Sequence, residues 1–106
     1  MDKLSELMII TMEECGELTQ ACSKVLRKRE NQEITKEPSK DSLEDLTKEV
    51  GDVMCMIDLL VQNNLVDEND IKLCAKKKRE KLKRWSNLFE DKGIRNYPDG
   101  SFEHMV

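Results

Sequence analysis

The chain has 106 residues, 38% charged and 38% hydrophobic, with a net charge of −4 and only 4 Gly and 2 Pro. That length sets one small domain as the expectation, and high charge with few chain breakers points to long amphipathic helices rather than a sheet. The acidic balance argues against a general nucleic-acid binder, and no apolar run is long enough to span a bilayer. No N-terminal segment joins a basic start, an apolar run and a small-residue cleavage site, so a cytoplasmic chain is expected.

The first helix is expected from about Lys3 to about Lys28, capped by Asp2. Leu7, Ile10, Glu14, Glu17, Leu18, Ala21 and Val25 recur at three- and four-residue steps, which is helical periodicity. The stretch from Glu30 to Lys40 is polar, contains Pro38 and reads as a flexible loop.

The second helix is expected to start near Ser42, with Asp41 and Glu44 at capping-box spacing. Ser42, Asp45, Glu49, Asp52, Val53, Met56 and Leu60 share one face. Val53 to Val61 is strongly apolar and is expected to be the most buried part of the chain. Asn63-Asn64 marks a helix stop.

The third helix is expected to begin after Asp67 as N-cap, with Asp70 at the third position and Val66 and Ile71 as a hydrophobic staple. Ile71, Ala75, Lys78, Leu82, Trp85 and Phe89 trace its packing face, and Gly93 suits the position after its end. Residues 1–92 are thus expected to form the helical domain and residues 93–106 a C-terminal tail. In that tail Tyr97 and Phe102 are candidates to cover a site or dock on a neighbouring subunit.

Three amphipathic helices in a lone subunit give a thin core. An all-α antiparallel bundle completed by oligomerisation, as a homodimer or homotetramer, is therefore expected. The 6 Met residues suit irregular helix–helix contacts. Cys15, Cys22, Cys55 and Cys74 form no Cys-x-x-Cys pair, and the single histidine, His104, lies in the tail. A structural zinc site is not expected. The cysteines fall in helical apolar patterns and read as free, mostly buried thiols.

Two acidic pairs stand out. Glu14 and Glu17 lie inside Glu13-Glu14-Cys15-Gly16-Glu17, and Glu49 and Asp52 lie inside Lys48-Glu49-Val50-Gly51-Asp52. Carboxylates three apart on a helix are neighbours on one face. In a chain with 22 acids such spacings also arise by chance, usually on solvated faces. Here each pair interrupts an apolar stripe. Each motif also holds a mid-helix glycine, which costs about 1 kcal/mol relative to alanine and implies a packing reason such as close approach of a helix or ligand. Two such helices face to face gather four carboxylates into a small volume. Divalent metal is the usual remedy for that repulsion, because hard cations take oxygen ligands.

With both glycines in place, the pattern Glu13-Glu14-x-x-Glu17 followed by Glu49-x-x-Asp52 resembles the EExxE…ExxD signature of the all-α, MazG-like nucleoside triphosphate pyrophosphohydrolases. Glu-Glu-Cys-Gly-Glu-Leu resembles that family's EExGEL, and Glu-Val-Gly-Asp-Val-Met its ExGDVL. The likeness covers the three helices and is nearest to the short, single-domain type of bacteria and phages. It implies that Glu14, Glu17, Glu49 and Asp52 bind Mg²⁺ or Mn²⁺ and form the catalytic centre. The reaction implied is water attack at the α-phosphorus of a (deoxy)nucleoside triphosphate, giving monophosphate and pyrophosphate. Glu13 lies on a different helical face and is expected to support the site rather than ligate.

The family carries a K-x-x-R pair after the second motif, and Lys81-Leu82-Lys83-Arg84 matches it. With Lys77 on the same face, the resemblance implies a phosphate clamp of Lys77, Lys81 and Arg84. The bland alternative is a solvated cationic face near a helix C-terminus. The family's usual short His-containing segment after the arginine is replaced by Trp85-Ser86-Asn87, and the segment between the motifs is at the long end of the family range. Trp85 continues the apolar stripe and is expected to pack, with base stacking as the alternative.

Three rival readings remain: a helical interaction module that keeps the fold without catalysis, a nucleic-acid binder using Lys76–Arg84, and a carboxylate-bridged di-iron bundle. The last needs Glu-x-x-His motifs, and no predicted helix contains histidine.

Overall fold

The computed structural model describes residues 1–29 and 37–90. Its elements are α1 (Lys3–Arg27), α2 (Lys40–Gln62), α3 (Glu68–Trp85) and a short 3₁₀ turn, Leu88–Glu90. No strand occurs among the described residues, and none of the helices is long and apolar enough to cross a membrane. The chain divides into two units, Met1–Asn63 and Asn64–Val106.

The first unit is a helical hairpin. Asp2 caps α1, its carboxylate accepting from the Ser5 backbone N–H at 2.7 Å. That bond holds the Asp2 carboxyl below the usual aspartate range. Two interhelical ion pairs, Lys28 with Asp41 at 3.2 Å and Lys24 with Asp45, set the register. Later positions on α1 meet earlier positions on α2, so the helices run antiparallel. An isolated backbone pairing of Arg29 with Pro38 closes the same end.

The expected stripes face each other. Leu7, Ile10, Glu14, Leu18 and Val25 are half-buried and Ala21 is buried. On α2 Ser42 and Met56 are buried, and Leu46, Glu49, Asp52, Val53 and Leu60 are half-buried. Among the described residues only Ala21 and Met56 are buried hydrophobic side chains. The segment Val53–Val61 is richest in shielded positions, although Cys55 within it is exposed.

The start of α2 differs from expectation. The helix begins at Lys40 with Ser39 as N-cap, and the expected capping box of Asp41 and Glu44 does not form. Two serines account for the shift. Ser39 Oγ donates to Ser42 Oγ at 3.0 Å, and Ser42 Oγ donates to the Ser39 carbonyl at 2.9 Å. Together they bury Ser42 with its hydroxyl satisfied and start the helix earlier. Asp41 then lies in the first turn, where a negative charge is favourable. Hydrogen bonds from Ser39 and Lys28 lower its pKa to about 2. Most of the expected 30–40 loop lies outside the described residues.

α2 stops where expected. Asn63 is the C-cap and its side-chain amide donates to the Leu59 carbonyl at 2.7 Å. Asn64 takes a φ of 59°, the left-handed conformation that ends helices.

In the second unit Asp67 caps α3 as expected, accepting from the Asp70 N–H at 3.1 Å. The helix ends at Trp85, not near residue 92. Ser86 stops it: its backbone N–H and its hydroxyl both donate to the Leu82 carbonyl, at 2.9 and 2.8 Å. The 3₁₀ turn follows, and the Phe89 ring lies 5.3 Å from the Arg79 guanidinium. Gly93, Tyr97, Phe102 and the rest of the expected tail lie outside the described residues.

Candidate metal centre

The interrupted apolar stripes bring the four acids together. Glu14 and Glu17 come from α1, Glu49 and Asp52 from α2, and the antiparallel register sets the two pairs opposite each other. One carboxylate oxygen from each of the four lies within 4.8 Å of all the others. Glu14, Glu49 and Asp52 are half-buried and Glu17 is exposed. The Glu49 side chain is only 15% exposed.

Charge crowding marks the cluster. The Glu17 carboxyl is held above the usual glutamate range, first by the charge of Glu14 and then by the nearby Glu49 carboxylate. Glu14 Oε2 and Glu49 Oε2 are shielded from solvent and meet no hydrogen-bond donor among the described residues. A carboxylate oxygen left so is costly without a cation to accept its lone pairs.

Lys48 supplies the only counter-charge shown to touch these acids among the described residues. Its ammonium donates to Glu49 Oε1 and Asp52 Oδ2, both at 3.1 Å. Those two bonds raise the Lys48 pKa. Sequence reasoning passed over this residue, although its i,i+4 spacing from Asp52 was a usable signal. Lys48 leaves both orphaned oxygens unmet.

The donor set fits a hard divalent cation. All four donors are carboxylate oxygens, and opposed ligands on Mg²⁺ stand about 4.2 Å apart, twice the usual ~2.1 Å bond. A spread of 4.8 Å needs little contraction to reach that. Cys15 follows Glu14 in sequence and is exposed, as are Cys22, Cys55 and Cys74. The expectation of mostly buried thiols is therefore corrected. Helical periodicity placed the cysteines on apolar faces, but α1 and α2, which carry Cys15, Cys22 and Cys55, cover only one face of each other.

The glycines are also corrected. A Cβ added at Gly16 or Gly51 would meet nothing within 4 Å. The close helix approach expected at these positions is not made among the described residues.

Lys77, Lys81 and Arg84 lie on α3 in the second unit, and all three are exposed. Lys83 pairs with Glu80 at 3.3 Å. Trp85 is 82% exposed, against the expectation that it packs. The early end of the helix is the reason, since the next aromatic of the stripe, Phe89, sits on the following turn and lies over Arg79.

No family model, no curated protein and no solved structure matches this chain. The acidic cluster itself therefore carries the functional reading: a cluster on an all-α hairpin that could coordinate a divalent cation.

Proposed function

We propose that the chain is a Mg²⁺-dependent, MazG-like nucleoside triphosphate pyrophosphohydrolase, with Mn²⁺ able to replace Mg²⁺. The carrying observation is the convergence of Glu14, Glu17, Glu49 and Asp52 within 4.8 Å, with two of their oxygens shielded and unmet. This quartet is the one that the resemblance to EExxE…ExxD singles out. A bound divalent cation would supply charge neutralisation on the phosphate oxygens and a more acidic water.

The chain's own residues have simpler tasks. Glu14, Glu17, Glu49 and Asp52 hold the cation against the hairpin. Lys77, Lys81 and Arg84 bind phosphate oxygens, as the family's K-x-x-R pair does. Positioning and electrostatics dominate phosphoryl chemistry, so no covalent intermediate is required. Water attack at the α-phosphorus then yields nucleoside monophosphate and pyrophosphate.

Assembly is part of the proposal. Leu4, Met8, Met12 and Leu26 on α1 and Leu43 and Val50 on α2 are exposed large hydrophobic side chains. A core of so few buried residues gains from a second copy. The same apolar surface would also suit the interaction-module reading, so activity must decide.

The test is direct. The protein is incubated with Mg²⁺ and a panel of ribo- and deoxynucleoside triphosphates, and the products are resolved by ion exchange. Monophosphate with pyrophosphate, lost on chelation and lost in Glu49→Gln, is the expected result. Diphosphate with phosphate overturns attack at the α-phosphorus. Full activity of Glu49→Gln overturns the four-carboxylate site.

A further inference from the structure

A mid-helix lysine that bonds two of four clustered acids has to be accounted for in any scheme that places a cation there. Lys48 spans Glu49 and Asp52 with two contacts of 3.1 Å. Its side chain is 67% exposed, so it has room to swing into solvent. Asp52 lies one helical turn beyond it, and Glu49 is its immediate neighbour. A divalent ion bound by the quartet would bring two positive charges close to the Lys48 ammonium. Both cations cannot keep the same carboxylate oxygens without repulsion.

We propose that Lys48 is the resident counter-ion of the cluster: it holds Glu49 and Asp52 together in the metal-free chain and yields that place when a divalent cation binds. The inference rests on the metal-site reading above. It assigns Lys48 as a positioning residue that sets metal affinity. The exposed end of the lysine explains how one residue serves both states. Exposed ion pairs are weak, so the lysine restrains the acids without locking them. The two Oε2 atoms of Glu14 and Glu49, which Lys48 does not meet, remain available to the incoming ion.

The experiment titrates Mn²⁺ into the metal-free full chain, without nucleotide, and reads bound Mn²⁺ by electron paramagnetic resonance. Wild type, Lys48→Met and Lys48→Arg are compared. Methionine keeps helix propensity and stem length while removing the charge. Lys48→Met is expected to bind Mn²⁺ about threefold to tenfold more tightly, the scale of one or two exposed ion pairs. Lys48→Arg is expected to return to the wild-type affinity. Metal-free Lys48→Met is also expected to melt below wild type at neutral pH, and to gain more from added Mn²⁺.

Equal or weaker Mn²⁺ binding by Lys48→Met, with wild type still binding, overturns the inference and leaves the metal site standing. Binding by Lys48→Met alone supports it in its strongest form. Binding by neither protein overturns the inference together with the metal site. Hydrolysis is assayed separately, so a metal site without turnover leaves the Lys48 assignment intact while removing the proposed reaction.

Discussion

Glu17 on α1 and Glu49 on α2 face each other across the hairpin, each with a carboxylate oxygen within 4.8 Å of the other in the four-acid cluster. Glu14 adds the largest push, raising the Glu17 pKa by its charge. The relationship makes the metal-free hairpin sensitive to pH. An acid whose folded pKa is raised contributes stability that is fully present below its unfolded pKa. That stability is lost as pH rises through the folded pKa.

The first prediction follows from that sign. In chelator, the melting temperature of the protein should fall as pH rises from about 4.5 through the raised Glu17 range. With saturating Mg²⁺ or Mn²⁺ the dependence should reverse, because binding requires ionised carboxylates and strengthens as they deprotonate. Thermal melts by circular dichroism, with and without metal across that range, check both signs. Parallel curves would remove the carboxylate cluster as the pH-sensitive element.

A second prediction concerns the two glycines. Because an added Cβ at Gly16 or Gly51 meets nothing within 4 Å, alanine at either position should stabilise its helix by about 0.5–1 kcal/mol. Urea unfolding of Gly16→Ala and Gly51→Ala measures this. A loss of stability instead of a gain would locate a second copy packed against that glycine. Loss of turnover with a gain in stability would point to close approach of the nucleotide.

Much of this was legible in the sequence, for a physical reason. The period of helical apolar residues fixes which side chains share a face, so the stripes through Leu7–Val25 and Ser42–Leu60 were readable, and so were the acids that interrupt them. Local caps were readable where a single side chain decides, as at Asp2 and Asp67. The start of α2 was not, because Ser39 and Ser42 act through a mutual contact that no one-residue preference encodes. Periodicity also says nothing about how many neighbours a helix has. Cys15, Cys22 and Trp85 lie on apolar patterns yet remain exposed, since α1 meets α2 on one side and α3 ends at Trp85. Lys48 was hidden by its own motif, which draws the eye to the acids beside it.

Trp85 gives a third prediction. It is the one tryptophan in the chain and is 82% exposed, so it reports on its own surroundings. Its emission should be that of a solvated indole and should be quenched readily by acrylamide. Trp85→Ala should change stability by less than about 0.5 kcal/mol, as expected of an exposed position. A blue-shifted emission that moves with protein concentration would show a second copy covering the residue. Quenching by a nucleoside triphosphate, but not by inorganic triphosphate, would instead assign it to the base.

The last prediction separates a phosphate clamp from a solvated face on α3. Lys81 is exposed, and its resemblance-based role is to bind a phosphate oxygen of the substrate. A charge-assisted hydrogen bond of that kind contributes about 1.5–3 kcal/mol. Losing it should raise KM for the nucleotide by roughly tenfold to a hundredfold, since each 1.4 kcal/mol is tenfold in binding. Lys81→Ala leaves the acidic quartet untouched, so Mn²⁺ affinity in the absence of nucleotide should match wild type. Stability should barely change, because no packing is lost at an exposed position. Steady-state kinetics with Mg²⁺ and the preferred nucleotide, alongside the Mn²⁺ titration, read both quantities. Unchanged KM and kcat would return Lys81 to the solvated face. A weaker Mn²⁺ affinity in the variant would mean that Lys81 acts on the metal site rather than on the substrate. Loss of kcat at constant KM would place its contact in the transition state alone.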